Sequence, residues 1–312
     1  MGRFHGLALG SLALLGMAAP LAADVPDGSA ELVVNGDIEI RTRAPAPEHM
    51  EGLGEVISGW EFRTEETRAM QMDDFDNPGM LFADQARETW GEAMGEGGET
   101  CASCHDEPEA LRGVRAVYPK WDEEREQVQT LEMQVNECVT ERMGAEPLEY
   151  DGQPMRNMMA LLSSVSRGLP VDVATDGPAQ STWERGREIY YTRYGQLELA
   201  CSNCHEDNYG NMIRADHLSQ GHVNGFPTYR LRDAGLVSVH KRFQGCIRDT
   251  RGETFPMGSP EFVALELYVA SRGNGLHVEG PSVRNCRPPP GAAPRPPRRA
   301  GGDRPSSARS PR

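Results

Sequence analysis

The sequence contains the motif Cys-x-x-Cys-His twice, at residues 101–105 and 201–205, so any fold must bring two thiols and one imidazole together at each place. Two thiols can form thioethers with the vinyl groups of a porphyrin, and the adjacent histidine can bind its iron, which makes this motif typical of haem c attachment. A zinc site would need a second Cys or His pair nearby, which follows neither motif, and a redox dithiol would not require the histidine. The sequence therefore predicts two covalently bound haem c groups, with thioethers at Cys101, Cys104, Cys201 and Cys204 and proximal iron ligands at His105 and His205.

The N-terminus predicts export from the cytoplasm. Arg3 is followed by an almost wholly apolar stretch over residues 7–19, and small residues follow at Ala22 and Ala23. This is the pattern of a signal peptide cleaved after Ala23, and its apolar part is too short to span a bilayer. No later segment reaches transmembrane length. We expect a periplasmic protein without a membrane span, the alternatives being an uncleaved anchor or a buried first helix.

The charge of the chain argues against nucleic acid as a partner. The formal net charge is −15, and the tail over residues 287–312 has seven arginines against one aspartate, so the rest is more acidic still. An acidic surface repels phosphates. The tail itself is rich in proline, glycine and serine, which predicts disorder, with docking on an acidic partner as the alternative.

Two copies of one unit follow the signal peptide. A helix-like segment with a tryptophan precedes each motif, over residues 85–94 and 183–194, and a lone cysteine follows each motif, Cys138 in the first and Cys246 in the second. Each unit ends in an apolar segment with helical spacing that stops at Ser-Arg-Gly. We predict a mainly α fold made of two domains that resemble class-I cytochromes c.

An irregular N-terminal extension is predicted before these units, with short strands at residues 30–34 and 38–41. A stretch rich in Gly, Pro and Asp separates the units and is predicted to be a linker. The predicted organisation is a signal peptide (1–23), the extension (24–84), a first cytochrome c domain (85–168), the linker (169–182), a second cytochrome c domain (183–286) and the basic tail (287–312).

The sixth iron ligand decides the function, because axial ligands set the potential and reactivity of haem. Methionine is usual in electron carriers, and Met143, Met155, Met158, Met212 and Met257 are the candidates. Cysteine is the unusual choice, and Cys138 and Cys246 hold comparable places in the two units. They could instead form a disulfide with each other or with Cys286, but their equivalence favours iron ligation.

Positive charge surrounds Cys246. Six cations lie within residues 230–251, against two aspartates: Arg230, Arg232, Lys241, Arg242, Arg248 and Arg251. If residues 239–246 are helical, Arg242 and Cys246 share one face, and the cation would favour the thiolate. This pattern indicates a pocket that attracts an anionic substrate to sulfur chemistry; an exposed basic helix face is the alternative.

Several motifs in one order resemble those of the SoxA family, the cytochrome subunits of SoxAX. They are ETRAMQ at 66–71, DNPGM at 76–80, GFPTYRL at 225–231, HKRFQGC at 240–246, LELY at 265–268 and RGNGL at 272–276. The resemblance covers roughly residues 30–287 and leaves the basic tail outside.

The resemblance implies an L-cysteine S-thiosulfotransferase, which joins thiosulfate oxidatively to a cysteine of the carrier protein SoxYZ. The partner would be SoxX, which forms a heterodimer with SoxA and receives the electrons. In the family the active-site haem has a cysteine ligand found as a persulfide, which corresponds to Cys246, and a nearby active-site arginine corresponds to Arg242. Both motifs are present, so the chain resembles the two-haem form, with Cys138 as distal ligand of the first haem. Cys286 matches no family role.

Two other classes of function fit the motifs alone, a plain di-haem electron carrier and a haem-based redox or gas sensor. A carrier would have His/Met ligation at the second haem, and a sensor would have an open or easily displaced sixth position.

Overall fold

The computed structural model describes residues 23–50, 52–213 and 216–284. The predicted signal peptide, apart from its last residue, lies outside these described residues, and so do Cys286 and the basic tail. Among the residues described, no helix is both long enough and apolar enough to cross a membrane.

Two small antiparallel sheets open the chain. Both predicted strand segments form the first hairpin, whose apolar side chains Leu32 and Val34 pack with the buried Trp60. The second sheet pairs the next two strands. The strands are β1 (Leu32–Val34), β2 (Ile38–Ile40), β3 (Arg43–Pro45) and β4 (Glu55–Ile57).

The helix before the first motif begins earlier than the sequence predicts. Helix α1 (Glu65–Met72) is followed by α2 (Met80–Glu88), whereas the expected segment was 85–94. The Asn77 side chain accepts a hydrogen bond from the Gly79 N–H at 2.9 Å, which forms the turn from which α2 starts. Trp90 lies beyond the helix end, where its indole N–H donates to the Asp106 carbonyl at 2.8 Å. This tryptophan therefore packs on the motif from a turn, not from the helix.

Short elements connect the first motif to its apolar terminal helix. In chain order they are α3 (Cys101–His105), a 3₁₀ turn (Pro108–Leu111), α4 (Val114–Val117), the hairpin strands β5 (Lys120–Asp122) and β6 (Gln127–Gln129), α5 (Leu131–Glu137), a π-helical turn (Cys138–Arg142) and α6 (Gln153–Val165). The apolar spacing predicted α6, and the chain leaves it through Gly168 at a φ of +78°. Small residues of α2, Ala83 and Ala86, pack against Ala160 and Leu161 of α6.

The second motif lies within a similar succession of helices. The elements are a 3₁₀ turn (Gly177–Ala179), α7 (Gln180–Tyr191), α8 (Cys201–His205), β7 (Met212–Ile213), β8 (Asp216–His217), β9 (Thr228–Arg230), β10 (Gly235–Val237), α9 (Val239–Asp249), α10 (Pro260–Ser271) and β11 (Ser282–Arg284). Helix α10 confirms the second apolar segment. It crosses α7 at Gly186, where a Cβ would overlap the carbonyl oxygen of Ala264, so the crossing requires glycine.

A three-stranded sheet positions α9. Strand β9 pairs antiparallel with β10 and parallel with β11, which comes from the end of the described chain. Helix α9 starts directly after β10, where the Ser238 side chain accepts a hydrogen bond from the Lys241 N–H at 3.3 Å. Residues 239–246 are therefore helical, which is the condition for Arg242 and Cys246 to share one face.

The segment predicted to be a linker is tied into the structure. Val171 donates its N–H to Leu276 and accepts from Gly275, and Leu169 accepts from Val278, at 2.8–2.9 Å. Val171 and Val173 also belong to one buried cluster that joins side chains from before and after the segment, Ala116, Val128, Phe262, Leu265 and Val269 among them. The two motif-bearing parts therefore share a hydrophobic core.

Candidate functional site

The first motif forms a single turn of helix, α3. The Thr100 side chain accepts from the Ser103 N–H at 3.0 Å, and Ser103 Oγ accepts from the Thr100 N–H at 2.9 Å, a capping box that fixes the turn. His105 follows at its end, with its ring centre 6.3 Å from that of Trp90. Both thiols and the imidazole are therefore held on one short segment.

Cys138 lies beside this first motif. Burial and, next, the proximity of Cys138 raise the pKa of the Cys101 thiol. Burial likewise raises the pKa of Cys138, against the effect of a hydrogen bond from Gln134. Cys138 opens the π-helical turn that continues α5, and such turns are frequent at functional sites. The structure thus brings the lone cysteine of the first unit to its motif.

The second motif, α8, presents a well-fixed imidazole. His205 Nδ1 lies 2.8 Å from the carbonyl oxygen of Ser219, and since a carbonyl can only accept, the network assigns the proton to Nδ1. Burial lowers the pKa of His205 to about 4, so the ring is neutral and Nε2 keeps its lone pair. Gly221, at a φ of +80°, passes so close that a Cβ there would lie 2.7 Å from the His205 ring. His205 is therefore oriented as an iron ligand needs to be.

Helix α9 presents Cys246 to this second motif. Burial, followed by the proximity of Cys246, raises the pKa of Cys201 to about 12 and also raises that of Cys204. The positive charge of Arg242 acts in the opposite direction on Cys204. Arg242 and Cys246 are four residues apart on α9, and Arg242 Nη1 lies 4.0 Å from the position of a Cβ on Gly245. The predicted cation and the predicted thiol thus face the second motif together.

The positions of the lone cysteines and of two methionines bear on the alternative roles predicted for them. Cys138 and Cys246 are both free thiols, so they do not form a disulfide with each other. Among the methionines, Met155 is fully buried with Tyr118 and Leu131, whereas Met212 is half-exposed on β7. Thiolate ligation by the two cysteines stays a prediction.

A positively charged cleft of about 530 Å³ adjoins α9. Of the six cations that the sequence places near Cys246, all except Arg251 line this cleft. Arg156 of α6 lines it as well. The charged lining residues are Arg156, Arg230, Arg232, Lys241, Arg242, Arg248, Asp151 and Asp233. In an acidic protein, four excess positive charges around one cleft give it a local potential that would attract an anion. The sequence did not reveal Asp151 and Arg156, which lie far from the others along the chain.

The surroundings of the second motif fit a haem. The donor set comprises two thiols, a neutral imidazole and a further thiol on a separate helix. Buried donors nearby lack hydrogen-bond acceptors among the described residues, namely the Tyr190 and Tyr268 hydroxyls and the Nε and Nη2 atoms of Arg272. The guanidinium of Arg272 is fully buried, lies 4.4 Å from the Tyr190 ring centre and pairs with Glu206. Unsatisfied buried donors are costly, and the carboxylates of a haem would satisfy them.

Three kinds of comparison with known proteins agree. Residues 85–171 match the family model "SoxA/TsdA, cytochrome c domain". The chain is 61% identical over 256 residues to the L-cysteine S-thiosulfotransferase subunit SoxA of Rhodovulum sulfidophilum, covering 81% of this chain and 89% of that protein. It is 55% identical over 285 residues to the SoxA subunit of Paracoccus pantotrophus, covering 91% and 97%. Among solved structures, the crystal structure of SoxXA from P. pantotrophus matches with a TM-score of 0.81 and 55% identity, covering 83% of this chain and 100% of the matched one.

Proposed function

This chain belongs to the SoxA family, and from that premise we propose that it couples thiosulfate oxidatively to a cysteine of a SoxYZ carrier in the periplasm, with SoxX as its partner subunit. Relatives at this identity over most of their length are cytochrome subunits of L-cysteine S-thiosulfotransferase, and this chain is such a subunit. The coupling chemistry, the carrier and the periplasmic location are the parts we propose.

The fold we propose has two class-I-like cytochrome c domains, over residues 85–168 and 183–286, behind the extension at 24–84. Two packed helix pairs support this division, because α2 and α6 flank the first motif along the chain and α7 and α10 flank the second. The shared core and the hydrogen-bonded segment 169–182 indicate that the domains form one folding unit.

Two covalently attached haem c groups are proposed. Cys101 and Cys104 would hold the first and Cys201 and Cys204 the second, with His105 and His205 as proximal ligands and Cys138 and Cys246 as distal ligands. The proximity of each lone cysteine to its motif thiols supports this assignment. The haem at the second motif would accept the two electrons that thiosulfate coupling releases one at a time, passing them on toward the partner subunit.

The reaction we propose has two sulfur–sulfur steps at Cys246. In the first, the Cys246 thiolate and the outer sulfur of thiosulfate form a bond and give up two electrons, leaving a thiosulfonate on Cys246. In the second, a carrier thiolate attacks the outer sulfur, takes the thiosulfonate and releases the Cys246 thiolate. Arg242, on the same face of α9, attracts the dianion and holds it near the sulfur.

The observation that carries this proposal is the placement of Arg242 and Cys246 together, facing the second motif beside a cationic cleft. The test uses the purified complex with its partner subunit, carrier protein and thiosulfate. We expect thiosulfate alone to reduce haem in a single turnover, further reduction to require the carrier, and the carrier to gain the mass of one thiosulfonate. An intact mass of the mature chain would report signal cleavage, two haem additions and any extra sulfur. Haem reduction without carrier modification would identify a plain di-haem electron carrier instead.

A further inference from the structure

The cleft beside α9 has a second wall, which belongs to the first domain. Asp151 lines it just before α6, Gln153 and Arg156 line it from the start of α6, and Lys241 and Arg242 line it from α9. The SoxA motifs in this sequence and the lone cysteines do not include any of these first-domain residues. The first domain therefore contributes more to this region than a haem-binding motif.

Asp151 joins the two walls. Its side chain is nearly buried, and Oδ1 accepts a long hydrogen bond, 3.4 Å, from the Ser238 N–H at the start of α9. Its other oxygen, Oδ2, lies 3.5 Å from Arg156 Nη1 and 3.9 Å from Lys241 Nζ. One carboxylate is thus shared by two cations, which leaves one positive charge in excess at this point.

Both cations have spare binding capacity. The side chains of Arg156 and Lys241 are 28% and 43% exposed, so their charged ends reach the cleft. A guanidinium has five N–H donors, and in the described contacts Arg156 donates one of them, to Asp151.

We propose that Arg156 binds the sulfonate group of thiosulfate from the first-domain wall, together with Lys241 on the α9 wall that also carries Arg242, and that Asp151 positions Arg156 and Lys241. A sulfonate is tetrahedral at sulfur, so its three oxygens point in different directions and donors on one wall cannot satisfy all of them. Cations on two walls, Arg156 on one and Lys241 and Arg242 on the other, can hold it beside the helix that carries Cys246. This inference rests on the proposed function and makes the first domain part of the substrate site.

The test compares thiosulfate kinetics of variants in the haem-loaded complex with its partner subunit. For Arg156→Gln we expect KM to rise about tenfold or more with kcat within roughly twofold, because a hydrogen bond to a charged group is lost. Arg156→Lys should restore part of the affinity. Arg185→Gln is the matched control, since Arg185 is exposed on α7, pairs with Glu188 and does not line the cleft.

For Asp151→Asn we expect KM to change in the opposite direction. Asparagine keeps an oxygen to accept from the Ser238 N–H but removes the charge that Arg156 and Lys241 share, so KM should fall about two- to fivefold. A purely structural role for Asp151 would raise KM or lower stability instead.

Equilibrium dialysis with labelled thiosulfate separates this inference from the proposed function, because it needs no turnover. Weaker thiosulfate binding in Arg156→Gln and in Lys241→Gln, with unchanged haem spectra, supports the subsite. If Arg156→Gln does not fold, the result for Lys241→Gln decides. Unchanged thiosulfate binding in both variants would overturn the subsite. A wild-type complex that binds thiosulfate without modifying the carrier would overturn the proposed function alone.

Discussion

His240 Nε2 lies 3.1 Å from Glu266 Oε2 in the interior of the protein, where both side chains are almost fully buried. His240 Nδ1 accepts a hydrogen bond from the Gly258 N–H at 3.0 Å. The Tyr150 ring stacks on His240 at 4.8 Å between ring centres. Glu132 belongs to the same buried cluster. Burial, and next the charge of Glu266, raise the pKa of Glu132 to about 7, while His240 and Arg115 act to lower it.

Glu132 should make the protein less stable as the pH rises. Its pKa is higher in the folded protein than its ordinary value of 4.5, so folding favours the protonated form. Its stabilising contribution is complete below pH 4.5 and is lost as the pH rises through about 7. We expect Glu132→Gln to raise Tm at pH 8 by about 3 °C or more, and to change it little at pH 5.

Thermal unfolding of the haem-loaded protein between pH 5 and 8 measures this effect. Glu124→Gln, at an exposed position, is the control and should follow the wild-type curve. A Glu132→Gln curve parallel to that of the wild type would show that Glu132 does not change its protonation in this range.

Gly186→Ala should force α7 and α10 apart, because the new Cβ would overlap the carbonyl oxygen of Ala264. Overpacking of a close helix crossing costs about 3 kcal/mol, which corresponds to a fall in Tm of roughly 5–10 °C. Gly91→Ala adds the same methyl group where no atom lies within 4 Å. Equal melting temperatures for the two variants in calorimetry would contradict the close crossing.

Gly221→Ala should disturb the second haem site specifically. The added Cβ would meet the His205 ring at 2.7 Å and push the imidazole out of the orientation that Ser219 fixes. Gly36→Ala is the matched control, since its φ of +78° imposes the same backbone cost, about 1 kcal/mol, without any neighbour within 4 Å. We expect altered ferric absorption spectra, or loss of one haem by mass, in Gly221→Ala alone. Identical spectra for both variants would argue against His205 as an iron ligand.

Cys246 and Cys138 should differ in their effect on activity. Low-spin ferric spectra with thiolate character are expected at both haems of the wild-type protein. Cys246→Met should leave a haem protein that no longer modifies the carrier, because the group that receives the thiosulfonate is gone. Cys138→Met should alter only the first haem in electron paramagnetic resonance and keep the carrier reaction. Full turnover by Cys246→Met would remove this thiol from the mechanism.

Local patterns in the sequence predicted the regular elements well. The apolar spacing predicted α6 and α10, the strand-like segments at 30–34 and 38–41 predicted β1 and β2, and the helix on which the pairing of Arg242 with Cys246 depended is present as α9. The start of α2 was predicted too late because Trp90 was taken as part of the helix. In the structure an Asx turn at Asn77 precedes that helix, and the indole N–H donates to the Asp106 carbonyl instead.

Features that depend on distant contacts could not be predicted. Asp151 and Arg156 reach the cleft because the start of α6 lies beside α9, and no local pattern marks them. Gly221 is one of many glycines in the sequence, and only the fold places it against His205. The predicted linker looked open because its composition is that of a loop, whereas its backbone pairs with residues 275–278.

This pairing has a consequence for how the molecule responds to cutting. A protease that cleaves within the segment before α7 would break one covalent bond but leave the two pieces joined through the buried cluster of Ala116, Val128 and Val269. Such a nicked protein should migrate as two fragments under denaturing conditions and as one particle in gel filtration. A gene encoding only the second motif would accordingly yield a fragment with an uncovered apolar face.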